Sequence, residues 1–144
     1  NVTLSQLLTN KKYDKIYIML GVNEMGYRFD KIIEKYKELL SFIKQKQPDT
    51  TIFLQANLHV TGERSNSDDT FNNHSINKLN KALSKMADNK KIYYLDVNPI
   101  FDDENGNLSA DKSEDNTHLY AKYYEVWGKW IVSQSASLTK EELH

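Results

Sequence analysis

With 144 residues of which 39% are hydrophobic, the chain is long enough for one substantial core and is expected to form a single domain over residues 1–144. A formal net charge of −1 with the two signs interspersed gives no sign of a nucleic-acid or anionic-membrane partner, and no apolar run is long enough to span a bilayer. The absence of cysteine removes disulfides, thiolate catalysis and Cys-type zinc sites, and fits either a reducing compartment or a bacterial exported protein.

In chain order, Thr3–Leu8 reads as a short helix leading into the first strand. Lys15–Leu20 is short, apolar and rich in β-branched and aromatic residues, and Gly21 ends it, as expected of a buried strand. Phe29, Ile32, Ile33, Tyr36, Leu39, Leu40 and Ile43 recur at helical spacing, predicting a helix over 30–47 that Pro48 stops. Thr51–Ala56 reads as a second strand, followed by a loop, Thr61–Asn73, whose Ser, Asp and Asn content makes it too polar to bury.

Ile76, Leu79, Leu83 and Met86 mark a second amphipathic helix, and Lys91–Val97 a third strand. Asp102–Asn107 is a turn; its ligand spacing does not fit a calcium loop. Leu119, Tyr123, Trp127, Trp130 and Ile131 stripe a final helix. Strands alternating with helices long enough to cross over imply an α/β fold, a parallel sheet with helices packed on it. In such sheets ligands bind outside the carboxyl ends of the strands. The polar groups at those ends are Gly21, Asn23 and Glu24, then Asn57 and His59, then Asp96 and Asn98.

Two stretches carry chemistry. In Asp115-Asn116-Thr117-His118 a carboxylate precedes an imidazole by three residues. That spacing lets the acid hold one ring nitrogen and leave the other to take a proton. The same spacing also suits a helix N-cap, with Asp115 or Thr117 capping and His118 in the first turn. Asn23, just past a strand end, can donate to a developing oxyanion, or it can hold its own loop by a side-chain-to-backbone bond. Glu24 suits a substrate contact or solvation. His59, His74 and His118 lack the paired spacing of zinc ligands, so no metal and no cofactor is expected.

Together, Ile18-Met-Leu-Gly21-Val-Asn23-Glu24-Met-Gly26-Tyr27 and Asp115-Asn-Thr-His118-Leu119 with Tyr123-Tyr124 resemble the SGNH (GDSL-type) hydrolases. The first stretch looks like the family's Gly-x-Asn-Asp block with Glu in the last place, the second like its closing Asp-x-x-His-Leu block. The elements between them follow the family's order, so the resemblance covers nearly the whole chain. It implies a flavodoxin-like three-layer α/β/α fold and hydrolysis of esters, often acetyl esters of carbohydrates or small molecules. It also implies His118 as general base and then acid, Asp115 as its orienter, Asn23 as oxyanion donor, and Gly21 and Glu24 beside it at the substrate.

Two family blocks have no counterpart here, the Gly-Asp-Ser nucleophile and the glycine that completes the oxyanion hole. Both normally precede the strand at Lys15. The chain begins at Asn1 with neither Met nor a signal segment, so it is expected to be the C-terminal portion of such a domain, without its first strands and inactive alone. The Lys15–Leu20 strand would then be an apolar edge open to a second copy or to an N-terminal fragment. A non-catalytic α/β binding module that keeps the crevice is the alternative. The Lys- and Asn-rich composition, with the family resemblance, leans towards a bacterial secreted or envelope protein.

Overall fold

The computed structural model describes residues 6, 8–9, 11–20 and 29–142. Its three strands are β1 (Lys15–Ile18), β2 (Thr51–Gln55) and β3 (Ile92–Leu95), hydrogen-bonded in the order β1-β2-β3. Both pairings are parallel, with Ile16 beside Ile52 and Phe53 beside Tyr93. The central β2 buries Ile52, Phe53 and Leu54 almost completely. A strand covered on both faces needs such a continuous apolar run rather than an alternating one.

The connections are helical. Helix α1 (Phe29–Lys46) carries Asp30 in its first turn and Lys44 and Lys46 in its last, charges that complement the helix dipole. It buries Ile32, Tyr36, Leu40 and Ile43 and stops ahead of Pro48, whose ring disfavours helical backbone at Gln47. Helix α2 (Gly62–Asn66) is a short helix after β2, and α3 (Asn73–Met86) buries Ile76, Leu79 and Leu83. Helix α4 (Asn98–Phe101) follows β3, and the long α5 (Ala121–Glu142) closes the chain. Gln6, Leu8 and Thr9 are helical, in line with the N-terminal reading.

Two faces of the sheet are covered differently. Ile18, Ile52, Leu54 and Ile92 pack with Ile32, Tyr36, Leu40 and Ile43 of α1 and Leu79 and Leu83 of α3. On the other face Phe53, Tyr93 and Leu95 meet Trp130, Ile131 and Leu138 of α5. Tyr17, Phe53 and Tyr93 stack across the three strands, with ring centroids 5.0 and 5.6 Å apart. Tyr17 Oη donates to Ser135 Oγ of α5 at 2.8 Å. Full burial of an apolar side chain such as Phe53 or Leu54 contributes roughly 1.5–3 kcal/mol. The described residues thus form the expected α/β/α layers around a parallel sheet.

The segment Thr61–Asn73 departs from its reading as a solvated loop. It contains α2, capped by Thr61, and it buries Thr61 and Asn73. Asn73 makes this possible. Its Oδ1 accepts from Val60 N at 2.8 Å, and its Nδ2 donates to Val60 O and Asn107 Oδ1, both at 2.7 Å. A polar segment can be buried when amide side chains take over its backbone hydrogen bonds. The turn at 102–107 is as read, with Gly106 at φ +80° and Asp103 Oδ1 accepting from Asn105 N and Asn107 N. Among the described residues no helix is long and apolar enough to cross a membrane.

Candidate active site

The loop 113–119 stands at the carboxyl end of the sheet because the chain beyond β2 holds it there. Its neck is closed by a bridge between Ser113 and Leu119 and by Tyr120 N donating to Lys112 O at 3.0 Å. Leu119 is buried with Val97, Phe101, Leu108 and Trp127, anchoring the loop's outgoing arm. Its tip is tied to the segment leaving β2, where Thr61 N donates to Asn116 O at 3.0 Å. Asn116 takes the left-handed φ of +67°, a conformation that asparagine tolerates better than most residues.

Within this loop Asp115 does two things at once. Its Oδ1 accepts from the backbone N–H of Thr117 at 2.9 Å and of His118 at 2.7 Å. Its Oδ2 lies 2.7 Å from Nδ1 of the His118 ring. The hold on the ring that the Asp-x-x-His spacing allows is present, whereas the helix N-cap reading is not: the carboxyl closes a turn within the loop, and α5 begins only at Ala121. The bonds from His118, backbone and ring, with that from Thr117, hold the Asp115 carboxyl far below the usual carboxylate range. An ionised Asp115 selects the ring tautomer with hydrogen on Nδ1 and leaves Nε2 able to accept a proton.

His118 and Asp115 are well exposed, with side-chain accessibilities of 65% and 55%. Nε2 of His118 is bonded to none of the described residues. No serine hydroxyl among them reaches it either. Ser65 Oγ accepts from Asn73 N, Ser67 donates to Arg64 O, Ser109 to Asp111, Ser113 to Asp115, and Ser135 to Ile131 O. Gly21, Asn23 and Glu24 lie outside the described residues. No group of three or more His, Asp or Glu side chains among the described residues is arranged to hold a metal ion.

Behind the loop lies a buried polar network that sequence reasoning only touched. Asn57 N donates to Asn80 Oδ1 at 2.8 Å, and Asn80 Nδ2 returns a bond to Asn57 O at 3.0 Å. Asn98 accepts from His59 N at 2.8 Å and donates to Asn57 O and Asp96 Oδ1. His59 itself is 8% exposed. Its Nδ1 sits 2.9 Å from Asp102 Oδ2, and its Nε2 sits 2.6 Å from Asn77 Oδ1. The sequence places His59 among the polar groups beyond a strand end, where it could line the crevice or serve as a hydrogen-bonded loop residue, and both of its ring nitrogens are hydrogen-bonded. Its acidic partner stands 43 residues away and leaves no local signal.

Comparison with known proteins gives the family and the fold. Residues 2–126 match the GDSL-like lipase/acylhydrolase family. The chain belongs to that family, the SGNH hydrolases. A structure from Streptococcus pneumonia, provisionally described as a platelet activating factor, superposes with a TM-score of 0.72 at 22% identity, over 87% of this chain and 59% of that one. A Bacteroides fragilis protein provisionally described as an acylhydrolase gives 0.68 at 18% identity, over 90% and 62%. A carbohydrate esterase family 3 protein from Talaromyces cellulolyticus gives 0.65 at 18% identity, over 93% and 62%. At these identities the likeness is one of fold. The chain spans about three fifths of each structure's length. A 47-residue stretch is also 38% identical to glutamyl-tRNA reductase of Clostridium beijerinckii, over 33% of this chain and 12% of that protein. So short a match carries no functional argument.

Proposed function

We propose that residues 1–144 form one domain carrying the acid–base half of a serine esterase site. His118 serves as general base and then general acid, and Asp115 orients it. The observation that carries this reading is the 2.7 Å contact between Asp115 Oδ2 and His118 Nδ1, on a loop exposed at the carboxyl end of the sheet. In acyl transfer the base takes the nucleophile's proton as it attacks the ester carbonyl, then returns it to the departing alcohol. Water repeats the cycle to release the acid. Asn23 donates to the oxyanion of the tetrahedral intermediate, a contribution of roughly 3 kcal/mol in comparable sites. Gly21 and Glu24 flank it at the substrate.

The substrate class in this reading is a small or carbohydrate-borne acetyl ester. The family's acyl chemistry and the carbohydrate esterase among the similar folds support it. The sequence contains no Gly-Asp-Ser block to supply the serine that His118 activates, so in this reading the chain alone is inactive. It should not hydrolyse p-nitrophenyl acetate above buffer, and His118→Ala should change nothing. The full-length natural product should label with a fluorophosphonate probe, and His118→Ala should abolish both labelling and turnover. Absence of labelling there would favour a binding module that keeps the crevice.

The same reading includes association through β1. Among the described residues β1 pairs with β2 alone, and Tyr17 and Met19 are 38% and 43% exposed beside it. An open apolar edge favours a second copy or a complementary N-terminal fragment. Size-exclusion chromatography with light scattering should show concentration-dependent association, and a clean monomer at high concentration would count against it.

A further inference from the structure

The segment that holds the His118 loop is itself clamped by a side chain the proposed chemistry does not use. Residues 59–61 lie beyond β2 with a single isolated bridge, Thr61 to Leu108, and the backbone N–H of each is held by a different segment. His59 N donates to Asn98 Oδ1, Val60 N to Asn73 Oδ1, and Thr61 N to Asn116 O in the catalytic loop. The His59 ring adds a lateral hold. Asp102 approaches Nδ1 with both carboxylate oxygens, at 2.9 and 3.1 Å, and Asn77 Oδ1 meets Nε2 at 2.6 Å. Asp102 is in turn bridged to Leu108, whose N–H donates to Val60 O at 3.0 Å. The ring thus closes a circuit from His59 through Asp102 and Leu108 back to Val60.

We propose that His59 is a proton-linked positioning residue for His118, its protonated ring clamping the segment from which the Asp115–His118 loop hangs. This rests on the reading of His118 as the working base. The chemistry of the clamp sets its pH dependence. Two oxygen acceptors face the two ring nitrogens, and only the imidazolium carries a hydrogen for each. Loss of the proton leaves one N–H for two acceptors and removes the charge attraction to a carboxylate at a site that is only 8% exposed.

The ionisable groups facing the ring are Asp102, from the turn after α4, and Asp96, at the end of β3; Asn77 of α3 is neutral. Both charges favour the cation. Burial pulls the other way and is the largest single influence, yet the bonds to Asp102 and Asn77 and the two negative charges together hold the ring's pKa above the ordinary imidazole value.

The experiment is an NMR pH titration of this chain, following the imidazoles of His59 and His118, the amides of Thr61 and Asn116, and amide exchange at Thr61. The Thr61 and Asn116 shifts should move with the midpoint of His59, and Thr61 exchange, corrected for its intrinsic pH dependence, should quicken as His59 loses its proton. In His59→Gln that step should vanish, with Thr61 exchange faster by about tenfold at acid pH, as expected on loss of one charge-assisted hydrogen bond. Thr61 and Asn116 shifts that ignore the His59 midpoint would overturn the proposal. The wild-type titration decides even where His59→Gln does not fold. None of these readouts needs turnover, so a failure of the esterase reading, seen as absent fluorophosphonate labelling of the full-length product, is recognised separately.

Discussion

The backbone N–H of Thr61 donates to the carbonyl of Asn116 across 3.0 Å, and this bond joins the carboxyl end of the sheet to the loop of Asp115 and His118. The two residues are far apart in sequence, and no strand pairing joins their segments among the described residues. The bond also explains the left-handed backbone of Asn116, which turns that carbonyl back towards β2 while Asp115 gathers the next two N–H groups. Loop shape and ring orientation therefore depend on one another.

Asp115→Asn separates these roles. The amide oxygen can still accept from Thr117 and His118 N–H, so the loop should keep its fold, while a neutral amide no longer holds the His118 ring in the tautomer a base needs. In the full-length product, kcat/KM for p-nitrophenyl acetate should fall by about 10³–10⁴-fold with little change in melting temperature. Asp115→Ala should lose as much activity and also shift the amide resonances of Thr117 and His118. Near-normal turnover by Asp115→Asn would sink the orienting role.

Stability should depend on pH at both ends of the range, with opposite signs. The pKa of His59 is raised in the folded chain, so its contribution is complete below the unfolded value of about 6.5 and is lost as pH rises through the folded value. Asp115 is depressed by its bonds from His118 and Thr117, so its contribution is present above the unfolded value of about 4 and is lost only as pH falls towards its much lower folded value. Exposure of Asp115 keeps its share small. Melting followed by circular dichroism should show a decline on the alkaline side that His59→Gln removes. An alkaline limb that is unchanged in His59→Gln would contradict the assignment to this ring.

Asn73 is the residue that lets the segment after β2 be buried, and Asn73→Ala tests it. The substitution strips partners from Val60 N, Val60 O and Asn107 Oδ1 in one step. Val60 O keeps its bond from Leu108 N, so the main penalty falls on Val60 N. A loss of roughly 2–4 kcal/mol in urea unfolding is expected. A loss below about 0.5 kcal/mol, the usual size for a surface change, would mean that water replaces the amide without cost.

Much of this architecture is legible in the sequence because periodicity reports it directly. The apolar run of β2 and the helical spacing through α1 each identify an element within a residue or two of its observed ends, and the spacing of Ile76, Leu79, Leu83 and Met86 marks α3, which begins three residues earlier at Asn73. The Asp115–His118 pair is legible for a similar reason, since its geometry is local. What escapes is non-local or too short to have a period. Helices α2 and α4, of 5 and 4 residues, contain no full repeat. Asn73 and Asn80 look like surface residues until the fold brings backbone groups to them. The His59–Asp102 pair exists only because β2 and β3 lie side by side and send their outgoing segments to the same place.

Gly106 offers a sharp test of the turn that presents Asp102 and Leu108. Its φ of +80° lies in the left-handed region, and a Cβ built there meets nothing within 4 Å. The cost of Gly106→Ala should therefore be backbone strain alone, about 1–2 kcal/mol. Gly106→Asn should cost less, because asparagine accepts left-handed backbone more readily. Gly62→Ala is the contrasting case. Its new Cβ would stand 3.2 Å from Nδ2 of Asn107, a side chain whose Oδ1 is already held by Asn73. Its penalty should be steric and should shrink in an Asn107→Ala background, whereas that of Gly106→Ala should not. Urea denaturation of the three glycine variants, of Asn107→Ala and of the two double variants decides. Equal relief of both glycine substitutions by Asn107→Ala would show that the strain at Gly106 is not confined to its own backbone.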